Sequence, residues 1–366
     1  MKFSISSKSI IFILTPTVGF GGTFSLHQLA KTLADIGKNV KIYHIQEQNE
    51  EHLEKTRFFE NELEVCDEIY DDKENYIIVP EKYYDYVERY THVNKIIWWL
   101  SWDFFTVNTY YGAALVKLKE KGIFGYRAYC LAPFVSILFI LFGKKRKFAI
   151  NKFFINANQY YHLYNCEYAF ENLIKKNIQK DRMQYLCGPI TFSYLPKDKF
   201  DFSVKENLII FPKAKNNQCF INKLMRIIKR KIPNVQFEMI HNMTGIQVRE
   251  LMVKAKVYVD FGFFPGPERL PREAAFSYCN IVTSNVGSAK NDSDVPIPEK
   301  YKFYPSKKNA MKIANLMVDM LINYNTYVNQ YDTYREKVYQ QQIEFEPLVE
   351  KIFVTKKQID QENTRT

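Results

Sequence analysis

Positively charged side chains follow two predicted strands in the second half of the chain, where they could hold a diphosphate. Lys213 and Lys215 come directly after one apolar segment, and Arg269 and Arg272 stand at the end of the glycine- and proline-rich loop 262–271. Ammonium and guanidinium groups donate hydrogen bonds to phosphate oxygens and neutralise their charge. In an enzyme the same groups stabilise a departing diphosphate, so these residue types indicate a phosphate-bearing ligand.

Two predicted helix N-termini lie in the same part of the sequence. Pro271 suits the first position of a helix, which places the carboxylate of Glu273 in the first turn. Ser288 and Ala289, after Gly287, are expected to open a further helix. Exposed N–H groups at helix starts bind anions, and the Glu273 carboxylate could accept hydrogen bonds from ribose or sugar hydroxyls. The alternative is a surface ion pair between Arg272 and Glu273, with the lysines solvated.

The loop after the first predicted strand is rich in glycine and includes Gly19, Gly21 and Gly22. Glycines let backbone N–H groups approach an anion, and the start of the next helix adds a positive dipole end. The dinucleotide-binding fingerprint is incomplete because Phe24 stands where its third glycine is expected, and the lysine of a P-loop is missing. A tight turn without a ligand is the alternative interpretation of these glycines.

A nearly continuous apolar run, Tyr129–Phe142, is followed at once by Lys144, Lys145, Arg146 and Lys147. The run itself is shorter than the roughly 20 residues that cross a bilayer. One interpretation is a helix of the protein core. The other, which the adjoining basic cluster favours, is a segment that binds in the interface of an anionic membrane.

Predicted strands alternate with predicted helices in both halves, which indicates parallel sheets. The predicted strands are 10–14, 39–45, 76–79, 95–100, 208–211, 235–240, 257–261 and 280–283. A helix is expected over 160–177, and Thr244 with Gln247 predicts a capping box at the start of another. The end of the chain, from about 307 to 353, is expected to be rich in helices.

The length of 366 residues fits two domains of ordinary size. We place an N-terminal domain over 1–190, including the membrane-associating segment near 122–150, and a second domain over 191–335. Residues 336–366 are expected to form a C-terminal helix and polar tail. The predicted fold class is α/β, with two doubly wound, Rossmann-like domains facing a central cleft. Ligands of such sheets bind at the carboxyl ends of the strands.

The formal net charge of +11 allows three kinds of partner: nucleic acid, an anionic membrane, or a phosphate-bearing small molecule. The 26 Tyr and 29 Phe residues are spread through both halves without a nucleic-acid-binding motif, so no nucleic acid partner is expected. The six cysteines form no CxxC pair, which predicts neither a metal site nor a disulfide framework. The first apolar run, 10–14, is too short for a signal peptide, so a cytoplasmic location is expected.

The segment Lys256–Ala275, with the letters KVYVDFGFFPGPERLPREAA, resembles the donor-binding region of bacterial GT-B glycosyltransferases. These are family-4-like enzymes of capsule, exopolysaccharide and lipopolysaccharide synthesis. The segment from Gly21 to Val40 is similar to their first strand–helix unit, while 98–101 and 168–169 match their acceptor domain more loosely. Together these stretches cover most of the chain, and the part near 269–275 is the most specific.

The resemblance implies a role for each matching position. Gly21 and Gly22 would contact the donor or acceptor through backbone N–H groups. Lys215 matches the lysine that holds the donor diphosphate. Asn242 and Met243 lie where such enzymes pack the nucleotide base.

One catalytic motif of these enzymes, E-x7-E, is matched only in part. Glu273 corresponds to its second glutamate, which holds the donor ribose. Eight residues earlier stands Pro265 instead of glutamate, and Glu268, the nearest candidate, has a different spacing. This departure leaves open whether the reaction retains or inverts the configuration of the sugar.

The reaction that the resemblance implies is the transfer of a sugar, with UDP-sugar as the expected donor, to a glycan or lipid-linked acceptor. Asp292-Ser293-Asp294 is DxD in letters only, so no metal or other cofactor is expected. An inverting reaction needs a general base. Asp103, just after the strand 95–100, is the first candidate, and His27 is the second, although its position on a helix favours packing. We expect a peripheral protein on the inner face of the cell membrane.

Three other functions remain open at the level of sequence. An NAD-dependent oxidoreductase would use Glu47 after the second strand, but the glycine fingerprint fails. A nucleic-acid-binding protein would use the charge and the aromatic residues. A non-catalytic membrane scaffold with the same fold would explain the incomplete E-x7-E motif.

Overall fold

The computed structural model describes residues 3–17, 21–45, 63–143, 145–146, 150–213 and 216–355. Contacts within the chain divide it into two compact units. The N-terminal unit comprises 1–106, 149–189 and 341–366, and the C-terminal unit comprises 107–148 and 190–340. Each unit contains its own parallel sheet, as the alternation of strands and helices predicts.

The described residues form fourteen β-strands. In chain order they are β1 (Phe3–Ile5), β2 (Ile10–Pro16), β3 (Asn39–Ile45), β4 (Glu64–Cys66), β5 (Tyr76–Pro80), β6 (Asn94–Trp99), β7 (Tyr161–Tyr164), β8 (Met183–Tyr185), β9 (Glu206–Pro212), β10 (Gln236–Ile240), β11 (Ala255–Asp260), β12 (Asn280–Ser284), β13 (Lys302–Phe303) and β14 (Phe353–Thr355).

The same residues form thirteen α-helices. They are α1 (Gly21–Asp35), α2 (Trp102–Thr106), α3 (Tyr110–Glu120), α4 (Gly125–Phe142), α5 (Asn151–Asn156), α6 (Glu167–Lys175), α7 (Gln218–Lys229), α8 (Gly245–Lys254), α9 (Arg269–Phe276), α10 (Ala310–Ile322), α11 (Tyr324–Val328), α12 (Asp332–Ile343) and α13 (Phe345–Ile352).

The sheet of the N-terminal unit has the order β4-β3-β2-β5-β6-β7-β8, with all pairs parallel. This is a doubly wound order that changes direction at β2. The apolar run of β2 is buried because helices cover a parallel sheet on both faces. On one face, α1 contributes Leu26, Leu29 and Leu33, which recur at helical spacing and join the same apolar cluster as Ile11 and Ile13.

The sheet of the C-terminal unit has the order β10-β9-β11-β12-β13, again parallel throughout. This second doubly wound order changes direction at β9. Helix α7 buries Ile221, Leu224 and Ile228 in the core of this unit, which is the helix face that their spacing predicts. The capping box of Thr244 and Gln247 at the start of α8 is confirmed.

The helices α3 and α4 form a hairpin that groups with the C-terminal unit, although the sequence assigned this segment to the N-terminal domain. The contact between the two helices is made by small residues. Ala128 and Ala132 of α4 pack in one apolar cluster with Ala114 and Leu118 of α3, and Ser136 extends the buried face of α4. Because small side chains take up this face, the large side chains of α4 lie on its other faces.

Helix α4 is apolar around its whole circumference and exposed along most of it. Its 18 residues have a mean hydropathy of 1.6, and only 17% of them are buried. Phe134, Leu141 and Phe142 are 68%, 65% and 84% exposed. By length and composition this helix could cross a membrane, whereas the apolar run alone was judged too short. The core-helix interpretation is wrong for this segment, because a core helix would bury these side chains.

The end of the chain returns to the N-terminal unit and does not form a detached tail up to residue 355. Helix α13 packs against α1, and β14 pairs in parallel with β1. Phe345, Val349 and Ile352 of α13 are buried in the same apolar cluster as Phe3 of β1 and residues of the seven-stranded sheet. The predicted boundary at residue 336 therefore differs from the observed division, which places 341–366 in the first unit.

The predicted helix over 160–177 is wrong in its first part. Residues Tyr161–Tyr164 form β7, which pairs with β6, and a helix follows only at Glu167. His162 and Leu163 are both fully buried in this strand, and its pairing with β6 sets its conformation. The predicted strands elsewhere agree with the observed ones to within about two residues, but β1, β4, β8, β13 and β14 were not predicted.

Candidate functional site

The loops that carry most of the predicted donor-binding residues follow neighbouring strands of the C-terminal unit. In this sheet Pro212 is paired with Ile240, and β11 runs beside β9 in the same direction. The loops after β9, β10 and β11 therefore emerge at one edge. Since the strand order reverses at β9, this edge holds the switch point at which doubly wound sheets bind their ligands.

Lys213 lies at this switch point, and its backbone fixes it against the next strand. The Lys213 amide donates to the carbonyl of Ile240 at 3.2 Å, and its side chain is exposed. The Nζ atom lies 2.9 Å from Nε2 of His241. An ammonium group only donates, so Nε2 is the acceptor in this contact. Lys215, the other predicted lysine, lies outside the described residues.

A buried aspartate and an asparagine connect the lysine loop to the loop after β11, and the sequence analysis missed both residues. The Nδ2 group of Asn216 donates to the Pro212 carbonyl at 2.9 Å and to Oδ1 of Asp260 at 3.2 Å. Its Oδ1 accepts from the Phe261 amide at 2.8 Å. Asp260 also accepts the Gly262 amide at 2.9 Å. An aspartate ending a buried strand is the signal that could have identified this cluster.

The loop from Gly262 to Glu268 is held by side chains of the following segment. The hydroxyl of Ser284 donates to the Gly262 carbonyl at 2.5 Å. Ser288 donates its amide to the carbonyl of Phe264 at 2.8 Å and its hydroxyl to that of Gly266 at 2.6 Å. These bonds fix the backbone that leads into α9.

The predicted contacts of Ser288 and Ala289 with a donor stay predictions, and both residues are fully buried. The Ser288 amide and hydroxyl bond to the loop before α9, so their observed role is to support that loop. Gly287 makes this approach possible. Its φ is +59°, and a Cβ atom there would lie 2.0 Å from the carbonyl oxygen of Phe264.

Glu273 is a buried carboxylate in the first turns of α9, with a side-chain exposure of 1%. Its Oε1 accepts from the hydroxyl of Thr191 at 3.0 Å and lies 3.3 Å from Nε of Arg269. Its Oε2 is buried and has no hydrogen-bond partner among the described residues. Burial raises the pKa of Glu273 above its ordinary value, and the charge of Arg269 opposes this effect. A buried acceptor of this kind is suited to a ligand hydroxyl.

Arg272 is next to Glu273 on α9 and is only 6% exposed. The alternative of a surface ion pair between Arg272 and Glu273 differs from the structure, in which the Glu273 carboxylate is buried and lies beside Arg269. Helix α9 begins at Arg269, so Pro271 occupies its third position and not its first. A proline fits there because the first N–H groups of a helix have no partner within it.

Glu268 stands immediately before α9 and is half-buried. It occupies the N-cap position, but its side chain makes no capping hydrogen bond. Its charge contributes to raising the pKa of the buried Tyr258 phenol, after the larger effect of burial. Its predicted catalytic role stays a prediction.

Asn242 and Met243 lie in the loop between β10 and α8, next to His241 and hence to Lys213. Asn242 adopts a left-handed backbone with φ of 54°, which turns the chain sharply after the strand, and its side chain is exposed. Met243 is half-buried and packs against the core of the C-terminal unit. This position beside the lysine loop is where the predicted contact with a nucleotide base would be made.

In the N-terminal unit, Gly21 and Gly22 form the first residues of α1, after the switch-point strand β2. A Cβ atom on Gly21 would meet nothing within 4 Å, and one on Gly22 would lie 3.5 Å from Cδ1 of Leu100. The first amides of a helix have no partner within it, so they are suited to an anion or a ligand oxygen. Gly19 lies outside the described residues, as does Glu47.

Asp103 lies at the carboxyl edge of the same unit, in α2 directly after β6. It is 4% exposed and accepts a hydrogen bond from the hydroxyl of Tyr168 at 3.3 Å. His27, the second candidate base, is also buried on α1, and its ring lies 6.3 Å from that of His44. The packing expected of His27 is observed, and a catalytic role for either residue stays a prediction.

Sequence reasoning missed a polar cluster beside Asp103. Glu81, directly after β5, is 3% exposed and accepts from the amide of Leu100 at 2.9 Å. Burial raises the pKa of Glu81 to about 8. Ser101 and Asn165 lie next to it and are also buried, and Nδ2 of Asn165 donates to the Leu100 carbonyl at 2.9 Å. A glutamate at the end of a buried strand is the signal that could have drawn attention to Glu81.

The two aspartates of the Asp292-Ser293-Asp294 tripeptide lie beside lysine side chains. Asp292 lies 2.6 Å from the ammonium group of Lys302, and Asp294 lies 3.9 Å from that of Lys337. Among the described residues, no group of three or more His, Cys, Asp or Glu side chains is arranged to hold a metal ion.

The basic cluster after α4 is described only at two positions. Lys145 is exposed, and Nη1 of Arg146 donates to the carbonyl of Val107 at 2.6 Å. Lys144 and Lys147 lie outside the described residues. Arg146 thus connects the end of α4 to the segment that leads into α3.

No family model and no curated protein matches this chain. Solved structures do match. Sucrose-phosphate synthase from Thermosynechococcus elongatus has a TM-score of 0.57 and 11% identity over 98% of each chain. WaaG, a glycosyltransferase involved in lipopolysaccharide biosynthesis, has a TM-score of 0.53 and 12% identity over 94% of this chain and 99% of its own.

A mutant of S. aureus TarM, in complex with fondaparinux, α-GlcNAc-glycerol and UDP, has a TM-score of 0.52 and 11% identity over 77% of this chain. This chain spans 55% of the length of that TarM chain. At these identities the shared property is the fold. The predicted fold class, GT-B with two Rossmann-like α/β domains, is confirmed.

Proposed function

We propose that this protein is a glycosyltransferase that takes a sugar from a nucleotide-sugar donor. The observation that carries the proposal is Glu273, whose buried Oε2 has no hydrogen-bond partner among the described residues, beside Arg269 and Arg272. It lies in a helix that follows the switch-point edge of the C-terminal sheet. A donor ribose hydroxyl bound to Oε2 would satisfy this acceptor, and the arginines would lie close to the diphosphate.

The chemistry follows from the charge that develops when the donor loses its sugar. A diphosphate leaving group gains negative charge, and groups fixed in advance around it lower the barrier. Lys213, Arg269, Arg272 and the N-terminus of α9 are the groups proposed to meet this charge, with Lys215 as a further candidate. On this basis we propose that the transfer needs no metal and no other cofactor, and that activity persists in the presence of a chelator.

The acceptor side is proposed for the N-terminal unit. Asp103 is proposed as the general base that takes a proton from an acceptor hydroxyl if the reaction inverts configuration, and Glu268 is the candidate on the donor side. Gly21 and Gly22 offer the first backbone amides of α1, and Gly22 lies close to Leu100. The proposed acceptor is a glycan or a lipid-linked glycan.

UDP-sugar is the proposed donor, and a bacterial surface polysaccharide is the proposed product. The support is the fold shared with WaaG, which is involved in lipopolysaccharide biosynthesis, and with TarM, whose structure contains UDP. Neither protein is similar enough in sequence for its substrate to be assigned to this chain. A panel of sugar nucleotides therefore has to identify the base of the donor.

We further propose that the protein is peripheral on the inner face of the cell membrane. The support is the exposed apolar surface of α4, from Tyr126 to Phe142, followed by Lys145 and Arg146. An apolar helix next to cations binds an anionic membrane interface in two ways. Its apolar side chains are buried among the lipids, and its cations are attracted to the anionic head groups. No nucleic acid partner is proposed.

The experiment that tests the function is a panel of UDP-, GDP- and CMP-sugars. One of them is expected to raise the Tm by about 3 °C or more at millimolar concentration, because a ligand that binds only the folded state stabilises it. The same sugar is expected to be hydrolysed slowly without an acceptor, at an equal rate with and without EDTA. If no donor shifts the Tm, the donor site is wrong. If donors shift the Tm but are never cleaved, the protein is a non-catalytic scaffold and the proposed enzymatic function is wrong.

A further inference from the structure

One side chain joins the α3–α4 hairpin to the loop at the switch point of the C-terminal sheet. Nδ2 of Asn217 donates to the carbonyl of Lys121, in the turn of the hairpin, at 2.9 Å. Oδ1 of the same residue accepts from the amide of Phe220 at 3.1 Å and caps α7. Asn217 therefore uses both ends of its amide, one toward the hairpin and one toward the core of the unit.

The turn of the hairpin is shaped to accept Asn217. Gly122 has a φ of +75°, which a residue with a side chain rarely adopts. A Cβ atom on Gly122 would lie 3.0 Å from Nδ2 and 3.1 Å from Cβ of Asn217. The turn thus packs directly against the asparagine side chain.

Asn217 belongs to the same loop as Lys213 and Asn216, which lead from β9 into α7. Asn216 connects that loop to Asp260 and to the amide of Phe261, at the base of the loop that precedes α9. Two residues adjacent in the chain therefore bond in different directions, Asn217 to the hairpin turn and Asn216 to the loop after β11.

Two further contacts attach the hairpin to the same unit. The ammonium group of Lys119 lies 5.9 Å from the centre of the Phe263 ring, which is in the loop after β11. The rings of Phe124 and Tyr304 meet edge to face with their centres 5.8 Å apart. The hairpin thus contacts both loops at the switch point, once through Asn217 and once through Lys119.

We propose that bilayer binding by α4 and nucleotide binding at the switch point are coupled, with Asn217 as the positioning residue between them. The inference rests on the proposed function, since it takes both ligands from it. A bilayer that fixes α4 also fixes the turn at Lys121 and, through Asn217, the loop that carries Lys213. A loop ordered in advance binds its ligand more tightly, and the coupling acts equally in both directions.

The test measures the Kd of UDP for the full chain by calorimetry, with and without vesicles of phosphatidylcholine and phosphatidylglycerol. For the wild type, vesicles are expected to lower the Kd by about threefold to tenfold. Asn217→Asp keeps an oxygen to cap α7 but loses the donor to Lys121, and its ratio of the two Kd values is expected to fall below about twofold. Asn217→Ser, which also keeps a capping oxygen, is the second variant if the first folds poorly.

The matched control is Gln218→Glu, which adds the same charge one residue along but leaves the bond to Lys121 intact. It is expected to keep the wild-type ratio. If vesicles leave the wild-type Kd unchanged while UDP binds and the protein floats with the vesicles, the coupling is wrong and the proposed function stands. The coupling is also wrong, and the proposed function stands, if Asn217→Asp shows the same ratio of Kd values without and with vesicles as the wild type. If neither UDP nor GDP nor CMP binds the wild type, the proposed function and the coupling both fail.

Discussion

At the scale of single residues, Glu273 is the group that we propose binds the donor ribose. Its Oε2 is an acceptor that burial has removed from water, and a hydrogen bond to a charged acceptor is worth about 1.5–3 kcal/mol. Glu273→Gln can keep the contact with Thr191, since an amide oxygen also accepts. It loses the charge that strengthens a bond from a ribose hydroxyl.

The first prediction compares UDP with its 2′,3′-dideoxy analogue. The wild type is expected to bind UDP about 10-fold more tightly, because the analogue leaves Oε2 without a partner. Glu273→Gln is expected to lose most of this preference, as measured by calorimetry. Glu268→Gln, five residues earlier, serves as the control and keeps the preference. An unchanged preference in Glu273→Gln would place the ribose elsewhere.

Glu81 supports a second prediction, which concerns pH. Its folded pKa is about 8, far above its ordinary value, because burial penalises the charged form. The folded state therefore holds this proton more firmly than the unfolded chain does. The stability that results is fully present below the ordinary pKa and is lost as pH rises through about 8. The expected loss between pH 5 and 9 is on the order of 3 kcal/mol.

The measurement for Glu81 is urea unfolding of the wild type and of Glu81→Gln across this pH range. An amide does not titrate, so the variant is expected to lack this part of the pH dependence. The difference in unfolding free energy between the two proteins should thus change in favour of the variant as pH rises. Parallel curves for both proteins would mean that Glu81 titrates near its ordinary pKa in the folded state.

At the scale of elements, α4 supports a third prediction. A large exposed apolar surface on a helix marks an interaction site, and the cations after it point to an anionic surface. Replacing Phe134, Leu138 and Leu141 by serine is expected to abolish flotation with vesicles, because each side chain contributes buried apolar area. Lys145→Gln with Arg146→Gln is expected to weaken flotation with anionic vesicles but to leave weak binding to neutral vesicles intact.

The control for the helix uses exposed apolar residues outside the hairpin. Val65 and Ile246 are 55% and 73% exposed, and serine at both positions should leave flotation unchanged. Equal flotation of the wild type and the triple α4 variant would contradict the proposal that α4 binds the membrane. Loss of flotation in the control variant would instead point to a non-specific effect of surface hydrophobicity.

Elements were predicted well where their sequence signal is local. The strands 39–45 and 280–283 and the capping box at Thr244 follow from apolar runs and a fixed residue spacing. The strand Tyr161–Tyr164 was assigned to a helix because four residues carry too little periodicity to separate the two. This segment is a strand because it pairs with β6. Pairing between segments far apart in the chain cannot be recognised from local sequence.

The candidate site was predictable to a similar extent and for the same reason. Residue types and their order along the chain place Lys213, Arg272 and Glu273 near the ends of strands. The sequence does not show which of the predicted residues are exposed and which only hold a neighbouring loop in place. That depends on three-dimensional packing. Ser288 is an example, because its hydroxyl and amide bond to a loop more than twenty residues earlier in the chain.

At the scale of the whole molecule, the path of the chain differs most from the sequence expectation. A segment from the first half joins the C-terminal unit, and the last described residues return to the N-terminal unit. Such crossings depend on contacts between segments far apart in sequence, so neither composition nor periodicity reveals them. They do, however, have measurable consequences for which part of the protein a truncation destabilises.

The fourth prediction concerns the deletion of residues 341–366. This change removes α13 and β14, whose side chains Val349, Ile352 and Phe353 are at most 1% exposed in the core of the N-terminal unit. Burying a side chain of this size contributes about 1.5–3 kcal/mol, and β1 would also lose its partner strand. Hydrogen exchange is expected to speed up in α1 and β2 while α7 and α10, which belong to the C-terminal unit, keep their protection. Deletion of 356–366 alone is the control and is expected to leave exchange in α1 unchanged. Faster exchange in α7 with unchanged exchange in α1 would contradict the assignment of the chain end to the N-terminal unit.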